Sequence, residues 1–357
     1  MRKYYTRPCN FYYGNQAKNL VKKKKAFFLA GNLNVAFDQI EIIERIKKKN
    51  SKSNFYKINE INFLSREKKH VVKSDLKKII SKRKSLLNLK LTSPKIMGTL
   101  NITPDSFSDG GLFFDESNAC DQAKLMIDSG ASIIDIGGES TKPGSKTVSK
   151  KKEWERIKKV IKNIRKKFPK VVLSLDTRKS YVMKKGIENG INVINDVSGL
   201  NYDKKSFDII NLKKTPLILN HMQGTPKTMQ TNPQYNDVLI DIFDFFEKKI
   251  NFIKKRKYEK IIIVDPGIGF GKNLNHNLRI ISKISLFHSL GCPILIGTSR
   301  KRFIEQIVTK FDTSDRTGGT LASVLYGLSQ GVQLFRVHNV KEINQGILVF
   351  NKIINTN

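Results

Sequence analysis

The stretch KIMGTLNITPDSFSDGG, residues 95–111, is the part of the sequence from which the fold is best argued. It begins as an apolar run typical of a buried strand and continues into a loop rich in Pro, Asp, Ser and Gly. The amide of Asn101 stands at the strand end, and two carboxylates, Asp105 and Asp109, follow with Phe107 between them. This mixture predicts a strand that leads into an active-site loop.

Length and composition allow one large domain with an appendage, or two modest domains. The chain has 357 residues, of which 39% are hydrophobic. No apolar run reaches the roughly 18 residues that a membrane helix needs, so we expect no membrane partner. Cys9, Cys120 and Cys292 lie far apart and match no disulfide or metal-ligand spacing, which suits a reducing, cytoplasmic location.

The formal net charge of +35 has two interpretations. A polyanion-binding protein is one of them, and it stays open as an alternative of a different functional class. Against it, lysines occur all along the chain, commonly beside Asn and Ile, and no basic stripe interleaved with aromatic residues is present in the larger part. This pattern favours compositional bias, and we expect no specific nucleic-acid partner.

Residues 1–93 differ in composition from the rest and predict a small, basic N-terminal extension module of unknown function. Residues 1–37 contain no acidic residue, and no apolar core follows their first charges as a secretory signal requires. An organellar transit peptide is disfavoured because this segment has no serine and uses Lys rather than Arg. The alternation over Val35–Ile43 predicts a strand, and Asp75–Leu87 predicts a helix.

Residues 94–357 show eight alternations of an apolar strand pattern with a longer helical pattern, which predicts a (β/α)₈ TIM barrel. The predicted strands are Ile96–Ile102, Ser132–Gly137, Val171–Asp176, Asn192–Val197, Leu217–His221, Ile261–Asp265, Ile294–Gly297 and Val332–Val337. Glycines at 130, 190, 291 and 331 mark helix ends. A doubly wound open sheet is the alternative, but no strand is followed by its GxGxxG phosphate-binding turn.

Polar residues occur where each predicted strand ends, and in a TIM barrel these ends share one face that builds the active site. In chain order they are Asn101, Glu139-Ser140-Thr141, Asp176, Asn195-Asp196, Asn220-His221-Met222-Gln223, Asp265, Ser299-Arg300-Lys301, and Arg336 with His338.

Asp176, Asn195 and Asp265 form an acidic and amide group suited either to a metal ion or to a heterocycle rich in N–H donors. Basic groups end the last two strands, as in barrels that bind an anion there. The run GIGFGK at 267–272 is not a P-loop, because position 266 is Pro and position 273 is Asn. Its glycines instead suit close approach of Phe270 to a flat ring. No nucleophile–base motif is present, so we expect direct displacement.

Taken in order, these motifs over residues 95–340 resemble the dihydropteroate synthase family of pterin-binding TIM-barrel enzymes. Residues 101–111 and 139–144 resemble its first and second loops. The resemblance implies that 6-hydroxymethyl-7,8-dihydropterin pyrophosphate condenses with 4-aminobenzoate to give 7,8-dihydropteroate and pyrophosphate in folate biosynthesis. It also implies Mg²⁺ as cofactor and a homodimer.

The resemblance assigns roles to individual residues. It implies that Asp176, Asn195, Met222, Asp265, Phe270, Lys301 and Arg336 bind the pterin. It implies that Asn101, Thr141, Arg336 and His338 bind the pyrophosphate, with Asn101 as the Mg²⁺ ligand. Phe107, Pro143, Ser299, Arg300 and Arg302 are implied for 4-aminobenzoate, and Asp105, Asp109, Thr141 and Lys301 for catalysis.

Two positions depart from the family pattern: residue 142 is Lys where Arg is usual, and residue 302 is Arg where many members have Ser. Both leave sulfonamide sensitivity open. The nearest alternative is a pterin-dependent methyltransferase on the same barrel, which would share the pterin-binding residues but would not need the 101–111 loop or the basic cluster.

Overall fold

The computed structural model describes residues 2–47, 50–103, 116–140, 144–309 and 315–356. The N-terminal region contains β1 (Tyr4–Tyr13), α1 (Gly14–Lys22), β2 (Phe27–Leu29), β3 (Asn32–Lys47), β4 (Asn50–Lys57), a 3₁₀ helix (Ile58–Phe63) and α2 (Arg66–Ile80). The long strand β3 pairs with β1 on one side and with β2 and β4 on the other, always antiparallel. One face of this sheet packs with α2 through a core that includes Phe37, Ile40, Val72 and Ile79.

The expected helix at Asp75–Leu87 is wrong in both bounds, because α2 begins at Arg66 and ends at Ile80. The apolar residues with which α2 packs on the sheet, which include Val72, Leu76 and Ile79, all lie before the helix ends at Ile80. The leucines beyond it serve another purpose: Leu86 forms an isolated bridge with Leu89 and packs into the interior of the second region. The strand predicted at Val35–Ile43 lies within β3 and is confirmed.

The second region is a closed (β/α)₈ barrel, as the sequence predicts. Its strands are β5 (Lys95–Asn101), β6 (Ile133–Gly137), β7 (Val172–Asp176), β8 (Val193–Asp196), β9 (Leu217–Asn220), β10 (Ile262–Asp265), β11 (Leu295–Ile296) and β12 (Leu334–Val337). Neighbouring strands are parallel in the order β10-β9-β8-β7-β6-β5-β12-β11, and a parallel bridge between Val264 and Ile294 joins β10 to β11.

Helices alternate with these strands and cover the outside of the barrel. They are α3 (Glu116–Asp128), α4 (Lys150–Lys167), α5 (Ser180–Glu188), α6 (Ser206–Leu212), α7 (Val238–Lys255), α8 (Leu274–Ser282), α9 (Arg302–Ile307), α10 (Thr317–Ser329) and α11 (Val340–Ile354). A 3₁₀ helix, Ile284–Leu290, follows α8. It ends at Gly291 with φ +79°, a backbone angle that favours glycine. No helix within the described ranges is long and apolar enough to cross a membrane.

The N-terminal sheet packs its second face on the barrel. Tyr5 and Ile43 belong to the same hydrophobic core as Phe243 of α7. The rings of Tyr5 and Phe243 meet edge to face, with centroids 5.3 Å apart, and the Tyr5 hydroxyl donates to Asp244 Oδ1 at 2.7 Å. The N-terminal region is therefore part of the barrel's packing, although the boundary at residues 93/94 stays a prediction.

Ion pairs also cross between the two regions. The Glu41 side chain has no exposed surface and pairs with Arg7 Nε at 2.5 Å and with Lys283, which follows α8. Ser51 Oγ donates to Asp237 Oδ2 at 2.8 Å. The other oxygen of Asp237 caps α7 by accepting from the amides of Leu239 and Ile240. These contacts attach the module to the barrel helices α7 and α8.

Candidate active site at the barrel mouth

The carboxyl ends of the barrel strands line one cleft of about 1080 Å³. The predicted site residues that line it are Asn101, Asp176, Asn195, Asp265, Phe270, Ser299, Arg300, Lys301, Arg302, Arg336 and His338. Acids, amides and cations from different strands therefore converge, as the barrel prediction requires. Asp105, Phe107, Asp109, Thr141 and Pro143 lie outside the described residues.

Arg336 occupies the centre of the cleft's charged floor. Its Nε donates to Asp135 Oδ2 at 2.6 Å, and its terminal nitrogen donates to Asp176 Oδ2 at 2.9 Å. Asn195 Nδ2 donates to the same Asp135 oxygen at 3.0 Å. Sequence reasoning missed Asp135 because it stands within a strand rather than at its end, although an Asp among three isoleucines was a visible signal.

Several acceptor oxygens in this floor have no partner among the described residues. Asp135 Oδ1, Asp176 Oδ1, Asn195 Oδ1 and Asn220 Oδ1 are all buried and accept no hydrogen bond. Leaving a buried polar atom unpaired costs on the order of 1–3 kcal/mol, so four together indicate a missing donor-rich ligand or ordered water. Asn220 also lines the cleft and joins the group predicted from the sequence.

Burial shifts the ionisation of the charged residues here. Desolvation raises the pKa of Asp176 to about 7, against the opposing effect of Arg336. Desolvation likewise raises the pKa of Asp265 to about 6, while the Gly267 amide, which donates to its Oδ1 at 2.8 Å, opposes the shift. Burial and Arg336 lower the pKa of Lys301 to about 8. Perturbed groups gathered in a cleft are typical of a functional site.

An apolar wall stands beside these charges. Phe270 lies in a buried cluster with Val197, Met222 and Met229, and Lys301 Nζ lies 4.0 Å from the centre of the Phe270 ring. Phe270, Val197 and Met229 line the cleft, and Met222 packs against them.

The glycines of the 267–271 run serve the protein's own packing. Gly267, with φ +67°, would place a Cβ 2.0 Å from the His221 carbonyl oxygen, and Gly271, with φ +62°, would place one 2.5 Å from that of Gln223. The main chain at these glycines therefore packs closely against the main chain that follows β9.

Three strand-end residues that the pattern placed at the mouth turn into the protein instead. Glu139 pairs with Arg178 and Lys179, both at 2.9 Å. Asp196 accepts from the amides of Ser198 and Leu200 as a turn cap. His221 is buried against Lys272 Nζ at 3.1 Å. Strand-end position alone does not fix the direction of a side chain when a closer partner is present.

The cationic part of the cleft comes from β11 and β12. Ser299 Oγ lies 3.0 Å from His338 Nδ1, which ties the two strand ends together. Arg300 Nε donates to Asn339 Oδ1 at 3.0 Å. Arg302 is exposed and forms no ion pair within the described residues. No group of three His, Cys, Asp or Glu able to hold a metal ion occurs in the part that the structure describes.

Comparison with known proteins agrees with this arrangement. The family model described as pterin binding enzyme matches residues 97–338. The chain is 40% identical to the dihydropteroate synthase of Escherichia coli K12 over 263 residues, which is 73% of this chain and 92% of the relative.

The chain belongs to the dihydropteroate synthase family. It is therefore an enzyme, of the transferase class. The family's Yersinia pestis structure, solved with a sulfonamide drug complex, aligns with a TM-score of 0.70 and 38% identity, covering 74% of this chain and 96% of that one. The Xanthomonas albilineans structure in complex with 7,8-dihydropteroate aligns with a TM-score of 0.67 and 30% identity, covering 74% and 95%. Both alignments leave about a quarter of this chain uncovered.

Proposed function

We propose that this family member condenses 6-hydroxymethyl-7,8-dihydropterin pyrophosphate with 4-aminobenzoate, releasing pyrophosphate and forming 7,8-dihydropteroate in folate biosynthesis. The observation that carries the proposal is the pairing, in one cleft, of unpartnered buried acceptors with a cationic side. The first matches a ring rich in N–H donors, and the second matches an anionic leaving group.

The pterin ring is assigned to the floor of acids and amides. Asp176 Oδ1 and Asn195 Oδ1 are buried acceptors without a partner, and the Asp265 carboxylate is buried beside them. A carboxylate that receives two parallel N–H groups of an aminopyrimidinone ring makes strong, directional hydrogen bonds. Lys301 supplies a donor on the same side, and the Phe270 ring covers a flat face. Met222 belongs to the same buried cluster as Phe270.

The diphosphate is assigned to the cationic side, with Arg336, His338 and Thr141 as its ligands. A single amide, Asn101, is the Mg²⁺ ligand of this proposal. Asn101 lines the cleft and its side chain makes no hydrogen bond to another described residue. A single protein ligand is compatible with Mg²⁺, because the protein-bound ion keeps several waters and takes other oxygens from substrate phosphates. When bound, the ion would neutralise charge on the departing diphosphate.

The second substrate is assigned to the outer part of the cleft, where Phe107 and Pro143 would cover its ring. Its carboxylate is assigned to Arg302, with Ser299 and Arg300 on the same rim of the cleft. Ser299 is already engaged with His338 and Arg300 with Asn339, so Arg302 is the side chain best suited to meet the carboxylate. The helix behind it, α9, has six residues, so its amides alone would give little help.

The reaction is proposed to be a dissociative displacement. An electron-rich pterin stabilises positive charge on its exocyclic carbon, so the C–O bond breaks ahead of amine attack. Asp105 and Asp109 would stabilise this charge. We expect Asp109→Asn to lower kcat more than it weakens diphosphate binding, and an unchanged kcat would contradict this role.

Pyrophosphate release tests the proposed function. We expect release only when the pterin substrate, 4-aminobenzoate and Mg²⁺ are all present, with dihydropteroate formed in equal amount. A methyltransferase would release no pyrophosphate. A polyanion-binding protein would bind DNA in a salt-dependent way that survives Asp265→Ala. We further propose that the enzyme acts as a homodimer in the cytoplasm, which sedimentation and fractionation would check.

A further inference from the structure

Lys272 is the charged residue of the 267–272 run, and neither the sequence prediction nor the proposed reaction gives it a role. Its side chain is 2% exposed, and it lines the cleft beside the pterin-binding residues. No carboxylate forms an ion pair with it in the described part of the chain. A buried ammonium without a counter-ion is expensive, so a specific arrangement must hold it there.

Backbone carbonyls provide that arrangement. Lys272 Nζ donates to the carbonyl oxygens of Phe270 at 2.8 Å, of Gly267 at 2.9 Å and of His221 at 3.3 Å. His221 Nδ1 lies 3.1 Å from the same nitrogen as a fourth neighbour, so the three donors of an ammonium group are all engaged. The first two carbonyls belong to the loop after β10 and the third to the end of β9. One cation therefore joins the ends of two neighbouring strands.

The loop that Lys272 holds has little regular structure of its own. Its glycines at 267, 269 and 271 all have positive φ, at +67°, +81° and +62°. Other side chains also hold the loop: Gln230 Nε2 donates to the Gly269 oxygen, the Tyr235 hydroxyl donates to the Gly271 oxygen, and Asn277 Oδ1 accepts from the Gly269 amide, all at 2.8 Å. Lys272 Nζ contacts the carbonyl of Gly267 at the start of the loop and that of Phe270 near its centre.

This loop sets the positions of three proposed pterin ligands. The Gly267 amide donates to Asp265 Oδ1, so the turn at Gly267 orients that carboxylate. The loop carries Phe270, whose ring lies against Lys301 Nζ. The Lys301 side chain also passes within 3.1 Å of the Cβ position of Gly269. A displaced loop would move all three groups.

We propose that Lys272 is a positioning residue, whose buried ammonium collects the carbonyls of the β9 end and the following glycine loop and thereby orients Asp265, Phe270 and Lys301 for the pterin ring. This role rests on the proposed function of the cleft. The charged groups that face Lys272 are Asp265 and Lys301; burial lowers the pKa of Lys272 to about 7, and Asp265 opposes that shift. The His221 ring beside it is uncharged at neutral pH, because burial and Lys272 lower its pKa well below the ordinary value.

The test compares Lys272→Met with Lys272→Gln, which keeps an N–H donor group, and with Lys227→Met, an exposed lysine of the preceding loop. We expect Lys272→Met to raise the KM for the pterin substrate at least tenfold and to leave the KM for 4-aminobenzoate within twofold. Lys272→Gln should recover part of this loss, and Lys227→Met should match the wild type.

Two further measurements keep the outcome decisive. Titration calorimetry with 6-hydroxymethylpterin measures ring binding without turnover, and thermal unfolding reports whether each variant folds. A lower melting temperature with both KM values within twofold of the wild type would overturn the proposal, as would an equal rise of both KM values. Failure of the wild type to form dihydropteroate would instead refute the proposed function, whatever Lys272 does.

Discussion

Buried charges at the boundary between the N-terminal module and the barrel differ from those in the cleft. Both carboxylate oxygens of Glu41 are taken, by Arg7 and Lys283, and these partners hold its pKa below the ordinary value against the opposing effect of burial. Asp176 and Asp135 each leave one buried oxygen without a partner, and burial raises the pKa of Asp176 to about 7. Satisfied charges stabilise the fold, whereas unsatisfied ones mark where a ligand supplies the missing donors.

We expect the largest effect from a substitution that breaks the ion pairs of Glu41 at the boundary. Glu41→Gln removes the charge that two cations share, so we expect the free energy of unfolding to fall by about 3 kcal/mol. Urea unfolding at neutral pH measures this loss. Glu67→Gln, which removes a carboxylate that is 63% exposed, should cost less than about 1 kcal/mol. Equal effects of the two substitutions would show that the boundary pairs are no better placed than surface pairs.

Asp265→Asn tests the opposite behaviour in the cleft. We expect pterin affinity to fall about 100-fold, because the charge-assisted hydrogen bonds are lost. Without ligand, the free energy of unfolding at pH 7 should rise, by up to about 3 kcal/mol, since the pKa of this carboxyl is raised from 3.8 to about 6. Calorimetry and urea unfolding check the two parts. Asp208→Asn, at an exposed position, should change neither, and a destabilised Asp265→Asn would contradict the comparison.

The pH dependence sharpens the same contrast. The raised pKa of Asp265 means that the folded protein keeps a proton that the unfolded chain has released between about pH 4 and 6. This carboxyl therefore favours the fold less as the pH rises through that range. Its ionised form accepts the ring's donors, so the KM for the pterin substrate should increase as the pH falls below about 6. A KM that stays constant from pH 8 to 5 would refute this assignment.

The smallest effect concerns a single neutral donor at the boundary. Ser51→Ala removes the hydroxyl that donates to Asp237 at the start of α7. We expect a loss of about 1 kcal/mol in the free energy of unfolding and unchanged KM values for both substrates. A raised KM for the pterin substrate would show that the module also influences the cleft.

Sequence patterns located the strand ends well, because a buried parallel strand is apolar until it leaves the barrel. The predicted ends at Asp176 and Asp265 coincide with those of β7 and β10. Partners were harder to foresee. Asp135 faces Arg336 from a strand 201 residues away, a meeting that only the closed barrel creates. Lys272 ends a run that only partly matches a P-loop. Its contacts are to His221 Nδ1 and to three main-chain carbonyls, and contacts to the main chain leave no pattern in the sequence.

The structure of the N-terminal module was harder to predict from the sequence for a related reason. Its helix α2 packs on its own sheet, and the leucines after it pack into the barrel, so two cores divide one apolar stretch. The hydrophobic periodicity of the sequence does not distinguish the two cores, so it predicts a single helix. The ion pairs of Glu41 join residues that are 34 and 242 positions apart, so no local sequence pattern predicts them.

The glycine loop beside Phe270 has a consequence for inhibitors that bind in the cleft. At Gly267 and Gly271 any side chain would collide with main-chain oxygens and would also have to adopt a backbone angle that other residues disfavour. An inhibitor that rests on the main chain of this loop would therefore touch a surface that single substitutions can hardly reshape. Escape mutations should arise instead at exposed rim positions such as Gln306, which has no role in the proposed reaction.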